Sequence, residues 1–304
     1  MEKCNLCPRK CNVNRSTTKG FCGVGDEIKI ARVALHYMEE PCISGKNGSG
    51  TVFFSGCNLK CVFCQNYEIS HENFGKVVTT NRLAEIFLEL QEKGANNINI
   101  VTGTMYVPKI IEALDMVKGK LNIPIVYNCG GYEEVSTIKM LKGYVDIYLQ
   151  DIKYYSNELA IKYSSAPNYF LDSKKATLEM INQVGQPAFY ERENEPEKML
   201  KSGVIIRHLV LPGGRKDSIK ILEWLNYNVD KKSYLISIMS QYTPFYRSKE
   251  FKEINRLVTS FEYNSVVNKA IDLGIDMGYM QYRDSVGSKY TPKFNLEGVD
   301  KKEL

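Results

Sequence analysis

An α/β fold built on a parallel sheet is predicted by three features of the sequence. From Thr51 onward, short runs rich in β-branched and aromatic residues alternate with longer segments whose apolar residues recur at helical spacing. The short runs are almost continuously apolar, as in strands covered on both faces. The 304 residues are 43% hydrophobic and 25% charged, enough for one large core that need not be divided between domains.

The strand candidates are residues 51–55, 97–102, 124–128, 146–150, 204–211 and 234–240. Between them, a helix starts at Asn81, a residue suited to the N-cap, places Leu83, Ile86 and Phe87 on one face, and stops at Gly94. Further helices are expected over 107–118, 133–141, 157–163, 174–184 and 217–226. Six strand–helix units in series require a parallel sheet with right-handed crossovers. On order alone, an open doubly wound sheet and a curved barrel both satisfy this. Residues 249–274 read as helix, and the stretch from Tyr279 through Gln281 to Asp284 as an irregular or extended ending. Residues 187–196 read as an exposed insertion, with the charges from Glu191 to Glu195 solvated.

Residues 1–47 read as a cysteine-rich extension and 48–304 as the barrel with its helical tail. The extension carries Cys4-x2-Cys7-Pro8-Arg9-Lys10-Cys11, then Cys22-Gly23, then Glu39-Glu40-Pro41-Cys42. A C-x2-C turn projects two thiolates to one point, and Cys11 and Cys22 can complete a four-thiolate shell. That shell suits a second iron–sulfur cluster or a structural zinc; the bland alternative is free thiols in a partly ordered arm. His36, in an apolar strand-like run, is read as a structural histidine, and 45–50 as a glycine-rich connector.

Nine cysteines, an odd number crowded toward the N-terminus, suit metal ligation in a reducing cytoplasm better than a disulfide framework. No apolar run has the length of a membrane span, and the N-terminus lacks the apolar core of a signal peptide. The final Lys301-Lys302-Glu303-Leu304 resembles an ER retention signal only superficially. A net charge of +5 with scattered lysines gives no argument for nucleic acid as a partner, although an RNA substrate stays compatible with it.

The chain is organised around Ser55-Gly56-Cys57-Asn58-Leu59-Lys60-Cys61-Val62-Phe63-Cys64-Gln65-Asn66. Three thiolates spaced C-x3-C-x2-C can wrap one metal centre from a single loop. Three ligands on a four-iron cubane leave one iron open, whereas structural zinc closes its shell with four; His71 is the candidate fourth ligand for zinc. With Phe63 immediately before the third cysteine, this motif resembles the radical S-adenosylmethionine (SAM) superfamily. The continuation Cys64-Gln65-Asn66, and Gly48-Ser49-Gly50 leading into a strand, are similar to the branch of pyruvate formate-lyase activating enzyme. The cysteine-rich extension resembles that of one subgroup of its homologues. The resemblance implies a (βα)6 partial TIM-type barrel. It also implies a [4Fe-4S] cluster on Cys57, Cys61 and Cys64, and SAM bound through its amino and carboxylate groups at the open iron.

Ligands of parallel α/β sheets lie at the carboxyl ends of the strands. The backbone near Phe63 matches the position that hydrogen-bonds adenine in the superfamily. The second strand ends in Thr102-Gly103-Thr104, where the family carries Gly-Gly-Glu for the SAM amino group. The acid is missing, and two threonine hydroxyls stand in its place; the alternative is a turn with helix-capping threonines. Asn128 matches a family position near the methionine end of SAM, while Cys129 reads as a small filler. Asp151 and Lys153 match the Asp-x-Lys of the activating enzymes. Alternation puts them on one side, an acid and an ammonium that complement a zwitterion, unless they are simply a surface ion pair. Arg207, in an apolar strand before Pro212-Gly213, needs a paired anion, and the SAM carboxylate is its expected partner. His208 points the other way and reads as structural. Gln241 can reach the ribose or the substrate.

The resemblance thus implies reductive cleavage of SAM to a 5'-deoxyadenosyl radical, then hydrogen abstraction, with an electron from a flavodoxin- or ferredoxin-type donor. A glycyl-radical-enzyme activase is the first expectation. A radical SAM enzyme acting on a small molecule, peptide or RNA is the second. A non-enzymatic zinc-binding module is the third, and it leaves Asp151, Lys153 and Arg207 at neighbouring strand ends unexplained.

Overall fold

The computed structural model of the protein describes residues 3–281 and 292–300. Its strands are β1 (Ile28–His36), β2 (Ser49–Phe54), β3 (Lys76–Val78), β4 (Ile98–Val101), β5 (Ile125–Cys129), β6 (Ile147–Asp151), β7 (Ala188–Tyr190), β8 (Met199–Leu209), β9 (Leu235–Met239) and β10 (Gly278–Met280). The helices are α1 (Pro41–Ser44), α2 (Tyr67–Ser70), α3 (Thr80–Glu92), α4 (Val107–Met116), α5 (Val135–Met140), α6 (Asn157–Ser164), α7 (Tyr169–Val184), α8 (Arg215–Asn228) and α9 (Ser260–Asp272). All six expected strands form β2, β4, β5, β6, β8 and β9, each parallel to the next. β10 extends the parallel run past β9, while β1 joins β2 antiparallel and carries β3 at its far side. The architecture is the mixed α/β, parallel-stranded partial barrel of the (βα)6 type.

Every residue of β2, β4, β5 and β9 is buried, which is why these strands read as unbroken apolar runs. Helices α3 and α4 cover the sheet with Leu83, Phe87, Leu90, Ile110 and Ala113, and the main core runs between them and the strands. A second cluster, rich in tyrosine, gathers Leu59, Val62, Phe63, Tyr132, Tyr154, Tyr163, Tyr169 and Tyr242 around the three-cysteine loop. Large rigid rings at this point hold a loop that lacks regular structure.

Several boundaries differ from the sequence expectation. Helix α3 begins at Thr80 because the Thr79 side chain accepts from the Arg82 N–H. Helix α7 starts at Tyr169, five residues before the expected 174, since its ring stacks near Tyr132 and its hydroxyl donates to the Gly130 and Asp151 carbonyls. The tail is helical only from Ser260. There a capping box between Thr259 and Glu262 sets the start, and the preceding stretch is pinned by the Tyr242 hydroxyl on the Ile254 carbonyl.

The 187–196 insertion is also more than a solvated loop. β7 pairs with β8, Arg192 caps the end of α3 through the Ala95 and Gly94 carbonyls (2.9 and 3.1 Å), and Glu195 accepts from the Asn47 N–H (2.9 Å) in the glycine connector. Of the expected irregular ending, Tyr279 and Met280 lie in β10, Gln281 follows it, and Tyr282, Arg283 and Asp284 lie outside the described residues, as do Lys301–Leu304. No helix among the described residues is long and apolar enough to cross a membrane.

His208 is structural. It is buried, its Nδ1 meets the Ile152 carbonyl at 2.7 Å and its Nε2 the Ser218 hydroxyl at 2.8 Å, tying β8 to β6 and α8. Burial pushes its pKa down to about 4. In the unfolded chain the group titrates near 6.5, so its stabilisation is complete above that pH and is lost as pH falls toward 4. The loss is on the order of 3 kcal/mol. Denaturant unfolding at pH 7 and pH 4.5 should show a steep fall for the native protein and a shallower one for His208→Gln; equal slopes would contradict this.

Candidate active site

The loop after β2 owes its shape to backbone contacts with its surroundings. The Gly56 N–H donates to the Ile69 carbonyl, Lys60 N–H to Ser164, Val62 N–H to Tyr163, and the Arg247 N–H to the Val62 carbonyl. Cys57, Cys61 and Cys64 thereby come to border one cavity at the carboxyl ends of the strands. Each sulfur has a hydrogen-bond partner of its own. The Leu59 N–H lies 3.4 Å from Cys57 Sγ, the Ser164 hydroxyl donates to Cys61 Sγ at 3.0 Å, and the Ser70 hydroxyl sits 3.2 Å from Cys64 Sγ. Burial pushes the Cys57 thiol up to about 12 and Cys64 up to about 11, so these sulfurs ionise only when a metal supplies positive charge. Soft donors, each with a hydrogen bond to its sulfur, suit iron–sulfur ligation. As the side chains stand, no three His, Cys, Asp or Glu among the described residues form a group that could hold a metal, although the three cysteines border one cavity.

His71, the candidate fourth zinc ligand, has its Nδ1 on the Ser70 hydroxyl at 2.8 Å and its ring against Tyr246. Ser70 therefore stands between it and Cys64. His36 borders the cavity, with its ring edge-on to Phe53.

A buried ionic network borders the same cavity as the cysteines. Asp151, at the end of β6, accepts from Arg207 Nε at 2.8 Å and from Lys153 Nζ at 2.5 Å. Arg207 on β8 also donates to the Asn128 amide oxygen at 2.6 Å and to Glu39 at 2.9 Å. Glu39 in turn accepts from the Asn128 and Asn99 amides at 3.1 and 3.3 Å. All four charged side chains are 12–17% exposed. Burial opposes charge on Asp151, but Arg207 and Lys153 outweigh it and hold the carboxyl below its usual range. Burial wins at Glu39, whose carboxyl is raised despite Arg207. Beside it, Glu40 is 8% exposed, hydrogen-bonds Ser237, and leaves one buried oxygen without a partner.

Asn128, Asp151, Lys153, Arg207, Thr102 and Gln241 thus border the same cavity as the three cysteines. Thr102 does so with φ +61°, a conformation costly for a β-branched residue and of the kind that persists at functional sites. Gln241 accepts from the Gln281 amide at 3.1 Å. Gly103, Thr104 and Phe63 do not border it. Thr104 turns away to donate to the buried Glu133 at 2.9 Å, and Phe63 packs edge-on against Tyr242. Sequence reasoning missed Glu39; the available signal was a pair of acids directly after an apolar strand. It also missed Ser70 and Ser164, which no local motif marks.

The N-terminal arm packs onto the barrel. Cys4, Cys7 and Cys22 are buried and Cys11 is half-buried. The Phe21 N–H approaches Cys11 Sγ at 3.4 Å, and the Lys10 N–H closes a turn onto the Cys7 carbonyl at 3.0 Å. A Cβ at Gly20 would lie 3.5 Å from Cys22 Sγ and 3.6 Å from Cys11 Sγ, which places both sulfurs beside this glycine. Arg9, inside the first cysteine turn, donates from Nε to the Asn58 carbonyl at 2.9 Å and lies 3.8 Å over the Phe21 ring. The arm therefore contacts the three-cysteine loop directly.

The radical SAM superfamily model matches residues 51–225. The chain is 33% identical over 288 residues to an uncharacterised protein of Methanocaldococcus jannaschii, covering 91% of this chain and 77% of that one. Among solved structures it is similar to Streptococcus suis SuiB bound to precursor peptide SuiA, with TM-score 0.49 and 11% identity over 74% of this chain and 46% of that chain. It is also similar to a domain of pyruvate-formate lyase-activating enzyme from Bacteroides vulgatus, with TM-score 0.41 and 12% identity over 58% and 93% of the two chains. The chain spans about half the length of the SuiB structures it matches.

Proposed function

The chain belongs to the radical SAM superfamily, and we propose that it cleaves SAM reductively at a [4Fe-4S] cluster on Cys57, Cys61 and Cys64, giving a 5'-deoxyadenosyl radical that abstracts hydrogen. Three thiolates from one loop hold the cluster and leave one corner without a protein ligand. Lys153 and Arg207 meet the carboxylate of the methionine end, and Asn128 and Thr102 offer polar contacts beside it. Gln241 lies toward the ribose. The tyrosine-rich packing around the loop excludes water, so that the chain supplies orientation and shielding while the cofactors carry the chemistry. The observation that supports this reading most is a single cavity bordered both by the loop's three thiols and by the Asp151–Lys153–Arg207 network.

For the hydrogen donor, the reading is a glycyl-radical-enzyme activase, taking hydrogen from a backbone glycine of a partner protein, with a flavodoxin or ferredoxin as electron source in the cytoplasm. Cys64-Gln65-Asn66 and Asp151-Ile152-Lys153 support it by their likeness to the activating enzymes. Protein reconstituted anaerobically with iron and sulfide, then given SAM and dithionite, should release 5'-deoxyadenosine. Adding a copurifying protein with a glycyl-radical motif should produce a glycyl radical signal in electron paramagnetic resonance (EPR). No deoxyadenosine would overturn the radical reading. Deoxyadenosine without a glycyl radical would move the substrate to a small molecule, peptide or RNA.

On the same reading, Cys4, Cys7, Cys11 and Cys22 take a second iron–sulfur cluster or a zinc ion. Cys7→Ala is expected to lower metal content by elemental analysis while leaving the cluster on the central loop intact. Unchanged stoichiometry would contradict a second site.

A further inference from the structure

The amino end of SAM needs an acceptor, and the end of β4 brings no carboxylate to the cavity: Thr102 and Gly103 have none, and Thr104 is turned onto Glu133 at 2.9 Å. Among the described residues, two carboxylates border the cavity, Asp151 and Glu39. They are not equivalent. Asp151 is shared by two cations, Arg207 at 2.8 Å and Lys153 at 2.5 Å. Glu39 has one, Arg207 at 2.9 Å, and its other oxygen rests on the neutral amides of Asn128 and Asn99.

The difference decides what an incoming amino acid does. Its carboxylate is drawn to Arg207, whose guanidinium fork matches it and already points toward two acids. When Arg207 turns to that ligand, Asp151 keeps Lys153, whereas Glu39 is left buried with no cation, a costly state unless a new positive group arrives. The amino group of the same ligand is that group.

We propose that Glu39, delivered from the segment between β1 and α1, accepts the amino group of SAM, exchanging Arg207 for the ligand. One exchange of ion pairs then reads both ends of the amino acid. The carboxyl of Glu39 is raised by burial in spite of Arg207, while that of Asp151 is held down, which marks Glu39 as the less compensated acid. The proposal rests on the radical SAM reading and adds to it a residue lying before the central loop.

The test compares two ligands on anaerobically reconstituted protein by equilibrium binding: SAM, and the analogue in which hydrogen replaces the amino group. Glu39→Gln is expected to lose about 10- to 100-fold in affinity for SAM, as for a hydrogen bond to a charged group, and to bind the analogue within about twofold of the native protein. Iron content and cluster absorbance verify that the variant is folded. Equal losses on both ligands would reduce Glu39 to a support for Arg207 and overturn the assignment, and so would no loss on either. Should the variant fail to hold its cluster, Glu39→Asp is compared in the same way. Its shorter arm should narrow the preference for SAM, and an unchanged preference or equal losses would overturn the assignment there. If the native protein binds no SAM at all, this proposal and the radical SAM reading fall together. If SAM is cleaved normally while the losses are equal, only Glu39 is wrong.

Discussion

Replacing Cys61 by alanine is expected to abolish the release of 5'-deoxyadenosine from SAM and dithionite. Cys61 is 8% exposed, its sulfur accepts from the Ser164 hydroxyl at 3.0 Å, and the Lys153 ammonium, bordering the same cavity, acts on it against the effect of burial. It lies midway along the loop, between Cys57 and the turn at Val62–Phe63 that precedes Cys64, and all three of these cysteines border the cavity. Two remaining thiolates cannot keep a cubane with a single open corner. Iron content should drop together with activity. Ser164→Ala, which removes only the hydrogen bond to the sulfur, should leave iron bound and lower the rate by a smaller factor. Full cleavage by the Cys61→Ala protein, measured by chromatography of the deoxyadenosine, would remove the cluster from this loop.

Arg207→Met should have the second large effect, on both stability and SAM binding. Arg207 joins Asp151, Glu39 and Asn128 through three side-chain contacts, and Asp151 and Glu39 are the acids among them. Deleting one partner of a buried ionic network typically costs about 3–5 kcal/mol, because the charges left behind are unpaired. The pH dependence gives the sign. Without the guanidinium, the Glu39 carboxyl, already raised by burial, rises further, and Asp151, which keeps Lys153, loses part of what holds it down, so the variant's folded state is favoured at low pH relative to the native protein and penalised as pH increases. The deficit relative to the native protein should therefore grow between pH 5 and pH 7.5 in urea unfolding. A constant deficit would show that packing of the long side chain, not charge, is what Arg207 contributes.

Much of this site was legible in the sequence because its parts sit where a parallel sheet must put them. Spacing alone brought Cys57, Cys61 and Cys64 to one loop, and period-two alternation put Asp151 and Lys153 on one side, where they meet at 2.5 Å. Arg207 needed an anion, for which the sequence suggested the SAM carboxylate, and in this structure Asp151 and Glu39 fill that place. What the sequence hid is non-local. Glu39 is 112 residues from Asp151 and 168 from Arg207 in sequence, and it reaches this network because β1 pairs antiparallel with β2, ending with His36 opposite Ser49, and the chain after it turns inward to Asn99, Asn128 and Arg207. The antiparallel pairing of β7 and the anchoring of Arg192 and Glu195 were hidden for the same reason, since exposed charge runs carry no mark of the backbone carbonyls and N–H groups they meet. Thr104 shows the converse. Its place at a strand end argued for the cavity, but the buried acid of Glu133 drew it inward.

The most direct measurement is EPR of the dithionite-reduced protein, recorded with and without SAM and paired with iron and zinc analysis. A reduced four-iron cluster whose spectrum shifts on adding SAM, and whose signal is lost in Cys61→Ala, is the expected result. Zinc in place of iron at the central loop, or a cluster spectrum indifferent to SAM, would contradict an open corner held by Cys57, Cys61 and Cys64.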